Sequence, residues 1–267
     1  MKNILVTGAA GGMGRAVCRA LAGEGYRVFG IDRAEPEDFP SGAVFIPADV
    51  TRSADLEAAL ERVRGEAGQL HGVVHTAGVY DLNSLVEMPE EDFIRDFDVN
   101  VFGVFRVNRL FLPLFAPASR VVVISSELAP LRPLPFTGIY AVTKAAVDRY
   151  AAALRMELQL LGHRVCVIRP GAVRTGMLDV STRKLDRFCA ETRLYTFGAK
   201  RFLGIVRRVE ARSVPPERVA ALLSGVLAAP RPRPVYHLNR NPLLLLFRLL
   251  PQRTRLWAIR MILSRGR

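Results

Sequence analysis

The stretch KNILVTGAAGGMGRAVCRALAGEG, residues 2–25, decides the fold class of this 267-residue chain. A short apolar strand runs directly into a turn that holds Gly8, Gly12 and Gly14, and the turn opens a helix that ends at Gly25. Such glycines allow a tight turn and let the backbone approach a pyrophosphate, while the helix N-terminus offers free N–H groups and the positive end of its dipole. An ordinary glycine loop is the alternative, but the strand–turn–helix context favours a dinucleotide-binding unit.

An acid follows where a dinucleotide-binding unit needs one. Asp32 ends the second apolar strand, 18 residues after Gly14. Its carboxylate can accept hydrogen bonds from both hydroxyls of an adenosine ribose and would repel a 2′-phosphate, which favours NAD over NADP. The adjacent Arg33 could instead pair with a 2′-phosphate. Asp49, after the third strand, could meet the adenine amino group or could cap the next helix.

Outward from this stretch, apolar runs alternate with helix-period segments along most of the chain. This alternation predicts an α/β fold: a Rossmann-type doubly wound parallel sheet in a single domain, with helices on both faces. The predicted strands are residues 2–8, 26–32, 43–50, 70–78, 119–126, 163–171 and 234–239. We expect Ser53 to be the N-cap of the second helix, and residues 92–115 to form one long helix or two.

The charge of the chain is large and unevenly distributed. The formal net charge is +13, and residues 1–120 hold 12 Lys and Arg against 17 Asp and Glu, whereas residues 121–267 hold 26 against 8. A uniformly basic nucleic-acid binder would not show this distribution, so we expect no nucleic-acid partner. The basic half predicts an anionic substrate group, a lipid headgroup or an acidic partner, or it is a solvated arginine-rich surface.

The cysteines and the first residues bear on the compartment. The three cysteines are scattered without metal-ligand spacing, which predicts reduced thiols and no metal site. The first twelve residues do not resemble a signal peptide, and no apolar run is long enough to cross a bilayer. We therefore expect a cytoplasmic protein.

A candidate catalytic pair lies in PFTGIYAVTKAAVDRY, residues 135–150. Tyr140 and Lys144 are four residues apart, which places them on one face of a helix. An ammonium beside a phenol favours the phenolate, so we expect Lys144 to lower the pKa of Tyr140. A phenol tuned in this way can donate a proton to a ketone oxygen or remove one from an alcohol.

Three further residues belong with this pair. Ser125 and Ser126 end a strand, where a hydroxyl can bond the substrate oxygen and stabilise developing charge. Asn100 lies within a helical segment although Asn is a poor helix former. Its amide could hold a water that links Lys144 to solvent, or it could mark a kink or a buried hydrogen bond.

These motifs, taken together, resemble those of the short-chain dehydrogenases/reductases over residues 1 to about 240. The resemblance implies a catalytic tetrad of Asn100, Ser126, Tyr140 and Lys144, and hydride transfer between a nicotinamide and a carbinol carbon. The cofactor-binding residues that the motifs imply are Thr7, Gly8, Gly12, Met13, Gly14, Asp32, Arg33, Asp49, Val50, Ala77, Gly78, Tyr140, Lys144, Pro170, Gly171, Val173 and Thr175.

The sequence departs from the family pattern in two places. Thr76 precedes Ala77 and Gly78 where the family has Asn, and a Thr hydroxyl can still hydrogen-bond the backbone. Ser126 stands 14 residues before Tyr140, one more than is usual, which indicates an insertion between them. We favour Ser126 over Ser125 because it matches the second Ser of the family's pair.

The sequence after the sixth strand differs most from the pattern of the family. Residues 176–213 combine bulky apolar side chains with many cations, which predicts a lid over a large apolar substrate with or without an anionic group. The alternative is that these side chains only close the core. Residues 241–267 form a basic, apolar C-terminal extension of two helical segments broken at Pro251. Trp257 with flanking arginines fits a helix on an anionic membrane, whereas a dimer contact or a cover over the substrate pocket explains the same pattern.

Two functions follow as expectations. The first is an NAD(P)-dependent oxidoreductase, with NAD favoured, that interconverts a secondary alcohol and a ketone on a steroid, retinoid, acyl or polyketide type of substrate. The alternative is a non-catalytic dinucleotide sensor or scaffold protein, which would have no need of the tetrad. The resemblance also implies a homodimer or homotetramer through the helices around residues 99–115 and 139–160.

Overall fold

The computed structural model of the chain describes residues 1–264, apart from the side chain at position 248. The strands in that range are β1 (Asn3–Thr7), β2 (Arg27–Asp32), β3 (Ala43–Pro47), β4 (Leu70–His75), β5 (Phe115–Ile124), β6 (Arg164–Pro170) and β7 (Val235–Leu238). They form one sheet in the order β3-β2-β1-β4-β5-β6-β7, and every neighbouring pair is parallel. The predicted doubly wound parallel sheet is therefore confirmed.

Helices cover both faces of this sheet. They are α1 (Gly12–Gly23), α2 (Ser53–Ala67), α3 (Glu90–Phe97), α4 (Gly103–Phe111), α5 (Gly138–Leu158), α6 (Gly176–Glu191), α7 (Thr196–Glu210), α8 (Pro216–Ala228), α9 (Pro242–Leu249) and α10 (Gln252–Ser264). Strand residues of alternating parity face α1 and α8 on one side, and α2, α4 and α5 on the other. Full burial of each such aliphatic side chain contributes roughly 1.5–3 kcal/mol, which is why these strands are apolar on both faces.

The strand order fixes where a ligand can bind. From β1 the chain adds β2 and β3 on one side and then returns to place β4 on the other side of β1. The connections after β1 and β4 therefore run in opposite directions, which opens a crevice at the carboxyl ends of these strands. The glycine turn, Asp32, the serine pair and the segment from Pro170 stand at or just after strand ends, so the fold places them along this edge.

Two local predictions were wrong. Ser53 is the first residue of α2 rather than its N-cap; Arg52 holds that place, with no capping bond from its side chain. The segment 92–115 does form two helices, as one of the two alternatives predicted, and a π-helical turn at Asp98–Phe102 separates α3 from α4. Strand β5 begins at Phe115, four residues early, with a register irregularity opposite Leu70 and Gly72 that absorbs the extra residues.

The segment predicted as a lid forms α6 and α7, which pack against each other around Phe136, Phe188 and Phe202. The extension forms α9 and α10, and α10 lies against α7, where Arg201 donates a 2.9 Å hydrogen bond to the carbonyl of Ile262. The last three residues of the predicted extension lie outside the described residues. No helix within residues 1–264 is both long and apolar enough to span a membrane.

Candidate active site

A cavity of about 380 Å³ lies at the carboxyl ends of the central strands. Its walls come from the loops after β4, β5 and β6, from α5, and from the lid and extension helices. The residues predicted for the site that line it are Met13, Gly78, Ser126, Tyr140, Lys144, Pro170, Gly171, Val173 and Thr175. The fold thus brings together, around one space, side chains that are up to about 160 residues apart in the sequence.

Tyr140 and Lys144 project from the same face of α5 into this cavity. The Lys144 ammonium lies 5.8 Å from the centre of the Tyr140 ring and donates a 3.1 Å hydrogen bond to the carbonyl of Ile124 at the end of β5. The side chain of Lys144 is therefore directed by the strand end, which fixes its position beside the phenol.

Burial dominates the protonation of both groups. Desolvation raises the pKa of Tyr140 to about 12, opposed by a hydrogen bond from Ser126, and desolvation lowers the pKa of Lys144 to about 8. The expectation that Lys144 lowers the pKa of Tyr140 was wrong for the protein by itself. The physical reason is that burial removes the phenolate from water, and this desolvation is the largest influence on the pKa of Tyr140.

The two serines at the end of β5 have different partners. Ser125 is buried and donates a 3.3 Å hydrogen bond to the carbonyl of Lys144, which ties α5 to the strand. Ser126 lies beside the Tyr140 phenol, whose pKa it lowers, and it accepts a 3.1 Å hydrogen bond from the N–H of Leu128. Of the two, Ser126 is therefore the hydroxyl at the reactive end of Tyr140.

Asn100 lies in the π-helical turn, buried behind the cavity wall. Its amide nitrogen donates to the Val79 carbonyl at 3.0 Å and to the Thr143 hydroxyl at 3.1 Å, and its oxygen accepts from the Val79 N–H at 2.8 Å. Both amide hydrogens are used, so a water near Lys144 would have to use the remaining lone pair of the oxygen. Asn100 holds the loop after β4 in place, as the buried-bond alternative predicted.

The glycine turn has the shape of an anion cradle. Gly8 has φ +70°, and a Cβ at this position would lie 2.5 Å from the Ala77 nitrogen. A Cβ at Gly14 would lie 2.0 Å from the Gly8 carbonyl oxygen. Side chains are therefore excluded from the turn, which leaves the N-terminus of α1 open to a pyrophosphate. The dinucleotide that the motifs imply fits the residues present.

The acids after β2 and β3 lie beyond the cavity, at the far side of the glycine turn. Asp32 accepts a 3.0 Å hydrogen bond from the backbone N–H of Ala10 and a 2.7 Å hydrogen bond from the backbone N–H of Arg33. The Arg33 side chain is exposed, and its Nε lies 3.9 Å from the Asp49 carboxylate. Asp49 also accepts from the N–H and hydroxyl of Thr51, so it stabilises its own turn.

The resemblance includes Val50 among the cofactor-binding residues, but its side chain is turned away from the cofactor site. Its side chain is buried, and a Cβ on Gly103 would lie 2.8 Å from it. Val50 therefore packs the turn against the start of α4, and only its backbone could face a ligand.

Thr76, which stands where the family has Asn, keeps hydrogen bonds between two strand ends. The Thr76 hydroxyl donates a 2.6 Å hydrogen bond to the carbonyl of Thr7, and the Thr7 hydroxyl accepts a 3.3 Å bond from the N–H of Ala77. The end of β4 is thereby fastened to the glycine turn after β1. This is the local change that the sequence predicted.

The segment after β6 closes over the glycine turn. Gly171 passes so near Asn239 that a Cβ would lie 2.1 Å from the Asn239 carbonyl oxygen. Val173 forms a parallel bridge with Val214. Thr175 is the side chain that a Cβ on Gly12 would strike, at 2.9 Å. The segment therefore covers the place where the glycine turn meets the cavity.

Two of the cavity residues that the sequence interpretation missed, Tyr80 and Glu127, are titratable and lie next to predicted site residues. The ring of Tyr80 stands edge-on to that of Tyr140 with centroids 4.5 Å apart, and burial raises the pKa of Tyr80. Glu127 accepts a 2.8 Å hydrogen bond from the Asn241 N–H, and burial raises its pKa. Glu127 directly follows Ser126, so its place at the strand end was a usable signal; Tyr80 carried none.

Comparison with known proteins agrees with this geometry. The model of the short chain dehydrogenase family matches residues 2–186. The chain is a short-chain dehydrogenase/reductase. It is accordingly an oxidoreductase that acts on CH–OH groups and uses a nicotinamide dinucleotide.

Three relatives of this short-chain dehydrogenase/reductase show how far the likeness extends. It is 27% identical to a 3-ketodihydrosphingosine reductase of Bacteroides thetaiotaomicron over 90% of this chain and 88% of the relative. It is 29% identical to an L-2,3-butanediol dehydrogenase of Corynebacterium glutamicum over 70% and 77%. A solved short-chain dehydrogenase from Streptomyces avermitilis is 25% identical, has a TM-score of 0.75 and is matched over 99% of this chain and 97% of that one.

Proposed function

We propose that this protein interconverts a ketone and a secondary alcohol on a long, apolar substrate, with Tyr140 as the general acid and base and NAD as the preferred dinucleotide. The observation that carries the proposal is the position of the Tyr140 phenol, beside Lys144 and Ser126, in a cavity whose remaining wall is mainly apolar. A ketone in this cavity can meet a proton donor and a second hydroxyl at once.

The protonation states favour reduction near neutral pH. With a pKa of about 12, Tyr140 holds its proton and can donate it to a ketone oxygen. Lys144, with a pKa of about 8, is largely charged at pH 7 and stabilises the phenolate that this donation leaves. Ser126 donates to the same oxygen and limits the charge that develops on it.

The dinucleotide would be held by residues that the structure leaves accessible. The open turn around Gly8 and Gly14 and the N-terminus of α1 suit its pyrophosphate, and Asp32 suits its adenosine ribose. Lys144 can hold the second ribose. When bound, the dinucleotide supplies or accepts the hydride; the chain's own residues orient the reactants and move the proton.

The preference for NAD depends on the contrast between Asp32 and Arg33. Asp32 is fixed against the glycine turn by the Ala10 N–H, whereas the exposed Arg33 is held only by a 3.9 Å contact with Asp49. A ribose 2′-phosphate would have to displace the fixed carboxylate or approach it, and like charges repel.

A fluorescence titration of the purified protein with NADH and with NADPH tests this proposal. We expect NADH to bind at least about tenfold more tightly, a difference that corresponds to about 1.4 kcal/mol. Asp32→Asn should reduce or remove the preference, and Glu35→Asn, which changes an exposed acid three residues away, is the control. Tighter binding of NADPH would show that Arg33 outweighs Asp32, and binding of neither would remove the basis for the enzyme proposal.

The substrate class follows from the cavity wall. Leu178, Phe202, Val206, Leu244 and Phe247 are among the lid and extension side chains that line it. Such a wall suits an extended acyl chain or a fused-ring ketone better than a small polar one. The 3-ketodihydrosphingosine reductase among the relatives supports the lipid-like end of this range.

The extension is a cover over the cavity and, we propose, also a membrane contact. One side of α9 and α10 lines the cavity, while Leu246, Leu249 and Trp257 on them are 63%, 79% and 64% exposed. The sequence of residues 241–267 contains six arginines and no acid. Arg253 and Arg260 are exposed on α10, so the described outer surface is apolar and cationic, which suits the interface of an anionic bilayer. Location in the cytoplasm, peripheral at a membrane, follows as part of the proposal.

We also propose a homodimer or homotetramer built on α4 and α5. Phe102, Phe105 and Val142, from the π-helical turn, α4 and α5, are 48%, 44% and 37% exposed. Three large apolar side chains on three neighbouring elements form a surface that a second copy could bury.

A further inference from the structure

Arg255, on the inner side of α10, is a buried cation without an evident counter-charge. The residue is only 8% exposed. Its Nε is fully buried and has no hydrogen-bond partner among the described residues. The extension from residue 241 to 267 contains no acidic residue, so no neighbour along the chain can neutralise it. Buried guanidinium groups are normally paired, because an uncompensated charge is costly to remove from water.

The Arg255 side chain lines a small cavity of about 190 Å³, which we call the arginine pocket. Its other polar lining residues are Arg132 and Gln252, whose side chains are joined by a 3.0 Å hydrogen bond at the protein surface. The rest of its wall is apolar, and no acid lines it within the described part of the chain. The pocket is therefore electrostatically suited to an anion and unsuited to a cation.

The arginine pocket adjoins the cavity that holds Tyr140. The two share five lining side chains: Leu128, Leu134, Leu244, Phe247 and Ile259. A single molecule could thus lie with its apolar body in the larger cavity and its end group in the smaller one. Arg255 belongs to α10, which is part of the cover over the substrate cavity. The cover would therefore contact both the apolar body and the end group of the same molecule.

We propose that the arginine pocket binds the anionic end group of the apolar substrate, a carboxylate or a phosphate, and that Arg255 is the residue that recognises it. This inference rests on the proposed function, since it describes the other end of the same substrate. A planar guanidinium binds either oxyanion through two parallel hydrogen bonds, and it excludes an ammonium in the same place. The substrate is then an anionic amphiphile, rather than a neutral sterol-like or cationic one.

Calorimetric titration of the full-length, NADH-loaded protein tests the inference without requiring turnover. The probes are decanol, decylamine, decanoate and decyl phosphate, which share one chain and differ in end group. We expect decanoate or decyl phosphate to bind about tenfold to a hundredfold more tightly than decanol, as a charge-assisted hydrogen bond predicts, and decylamine to bind most weakly. The ranking of the two anions identifies which oxyanion the pocket prefers.

Arg255→Gln should reduce the affinity for the preferred anion to that for decanol and leave the affinity for decanol within about twofold. Arg253→Gln is the matched control, because it removes the same charge from an exposed position on the same helix. Arg255→Lys, which keeps the charge but loses the planar fork, should give an intermediate affinity. NADH affinity, measured in each variant, shows that the variant is folded.

Equal affinities of decanol and the two anions for the wild type would overturn the inference, and so would equal losses in Arg255→Gln and Arg253→Gln. If Arg255→Gln fails to bind NADH, the wild-type series and Arg255→Lys decide instead. Anion preference is measured separately from NADH binding and turnover. A failed inference therefore leaves the proposed oxidoreductase standing, and a failed oxidoreductase still leaves the anion preference measurable.

Discussion

Tyr140 and Lys144 illustrate what spacing alone can predict about a residue. Their separation of four places correctly set them on one face of a helix at one cavity. The direction of the tyrosine pKa shift was wrong, because it depends on how much water the lid and extension exclude, and nothing in a local motif measures this.

The buried charge of Lys144 should lower the free energy of unfolding of the protein at neutral pH. Burial lowers its pKa from 10.5 to about 8, which corresponds to a cost of about 3 kcal/mol for holding the charged form at neutral pH. Lys144→Met should raise the free energy of unfolding at pH 7 by about 1–2 kcal/mol, since the lost hydrogen bond to Ile124 offsets part of the gain. The variant should also lose activity.

The pH dependence of this effect gives its own check. Between pH 8 and 10.5 the unfolded chain binds more protons at Lys144 than the folded chain does. The contribution of Lys144 to wild-type stability therefore becomes less unfavourable as the pH rises. The difference in free energy of unfolding between Lys144→Met and the wild type should shrink accordingly. Urea unfolding at pH 7 and pH 10 measures it. Lys200→Met, at an exposed lysine, should change stability by less than about 0.5 kcal/mol at both pH values. An advantage of Lys144→Met that does not vary with pH would refute the explanation.

At the scale of elements, the alternation of strands and helices was enough to predict the sheet, its parallel pairing and the edge where the site lies. The glycine turn was predictable because it follows a strand and opens a helix. The π-helical turn around Asn100 and the early start of β5 were not, since both depend on pairing with distant segments. The placement of α9 and α10 over the cavity was one of three alternatives, and only tertiary contacts with α7 distinguish it.

The exposed apolar side chains on the outer surface of the extension should be required for the proposed membrane contact. Leu246→Ser combined with Trp257→Ser should abolish flotation with anionic liposomes while leaving NADH binding unchanged, because both side chains are exposed and face away from the fold. The matched control is Leu160→Ser, at a position 82% exposed beyond the end of α5. Equal recovery of wild type and double variant in the soluble fraction would dismiss the membrane contact.

For the whole molecule, the charge distribution separates the proposed cofactor-binding part from the proposed substrate-binding part. The acidic first 120 residues include β1 to β4 and the proposed adenosine site, whereas the basic remainder includes the lid and the extension. Cation-rich segments around the substrate cavity would attract an anionic amphiphile and an anionic surface alike. Substrate binding and membrane contact are then two consequences of one charge pattern.

The exposed aromatic surface on α4 predicts self-association. Phe105→Glu should convert a dimer or tetramer into a monomer, because it places a charge in the centre of a proposed apolar interface. Light scattering after size-exclusion chromatography measures the mass. Phe197→Glu, at a 39% exposed position on α7, should leave the mass unchanged. A wild-type protein that is already monomeric at micromolar concentration would remove the basis for this interface.

The central claim is that Tyr140 moves the proton while the dinucleotide moves the hydride. The most direct test is Tyr140→Phe, assayed by NADH consumption with the best substrate from a panel of long-chain and fused-ring ketones, beside Tyr195→Phe as a control in the lid. We predict a loss in kcat of at least about a hundredfold for Tyr140→Phe, near-normal turnover for Tyr195→Phe, and NADH affinity within about twofold of wild type for both. Near-normal turnover by Tyr140→Phe would contradict the account.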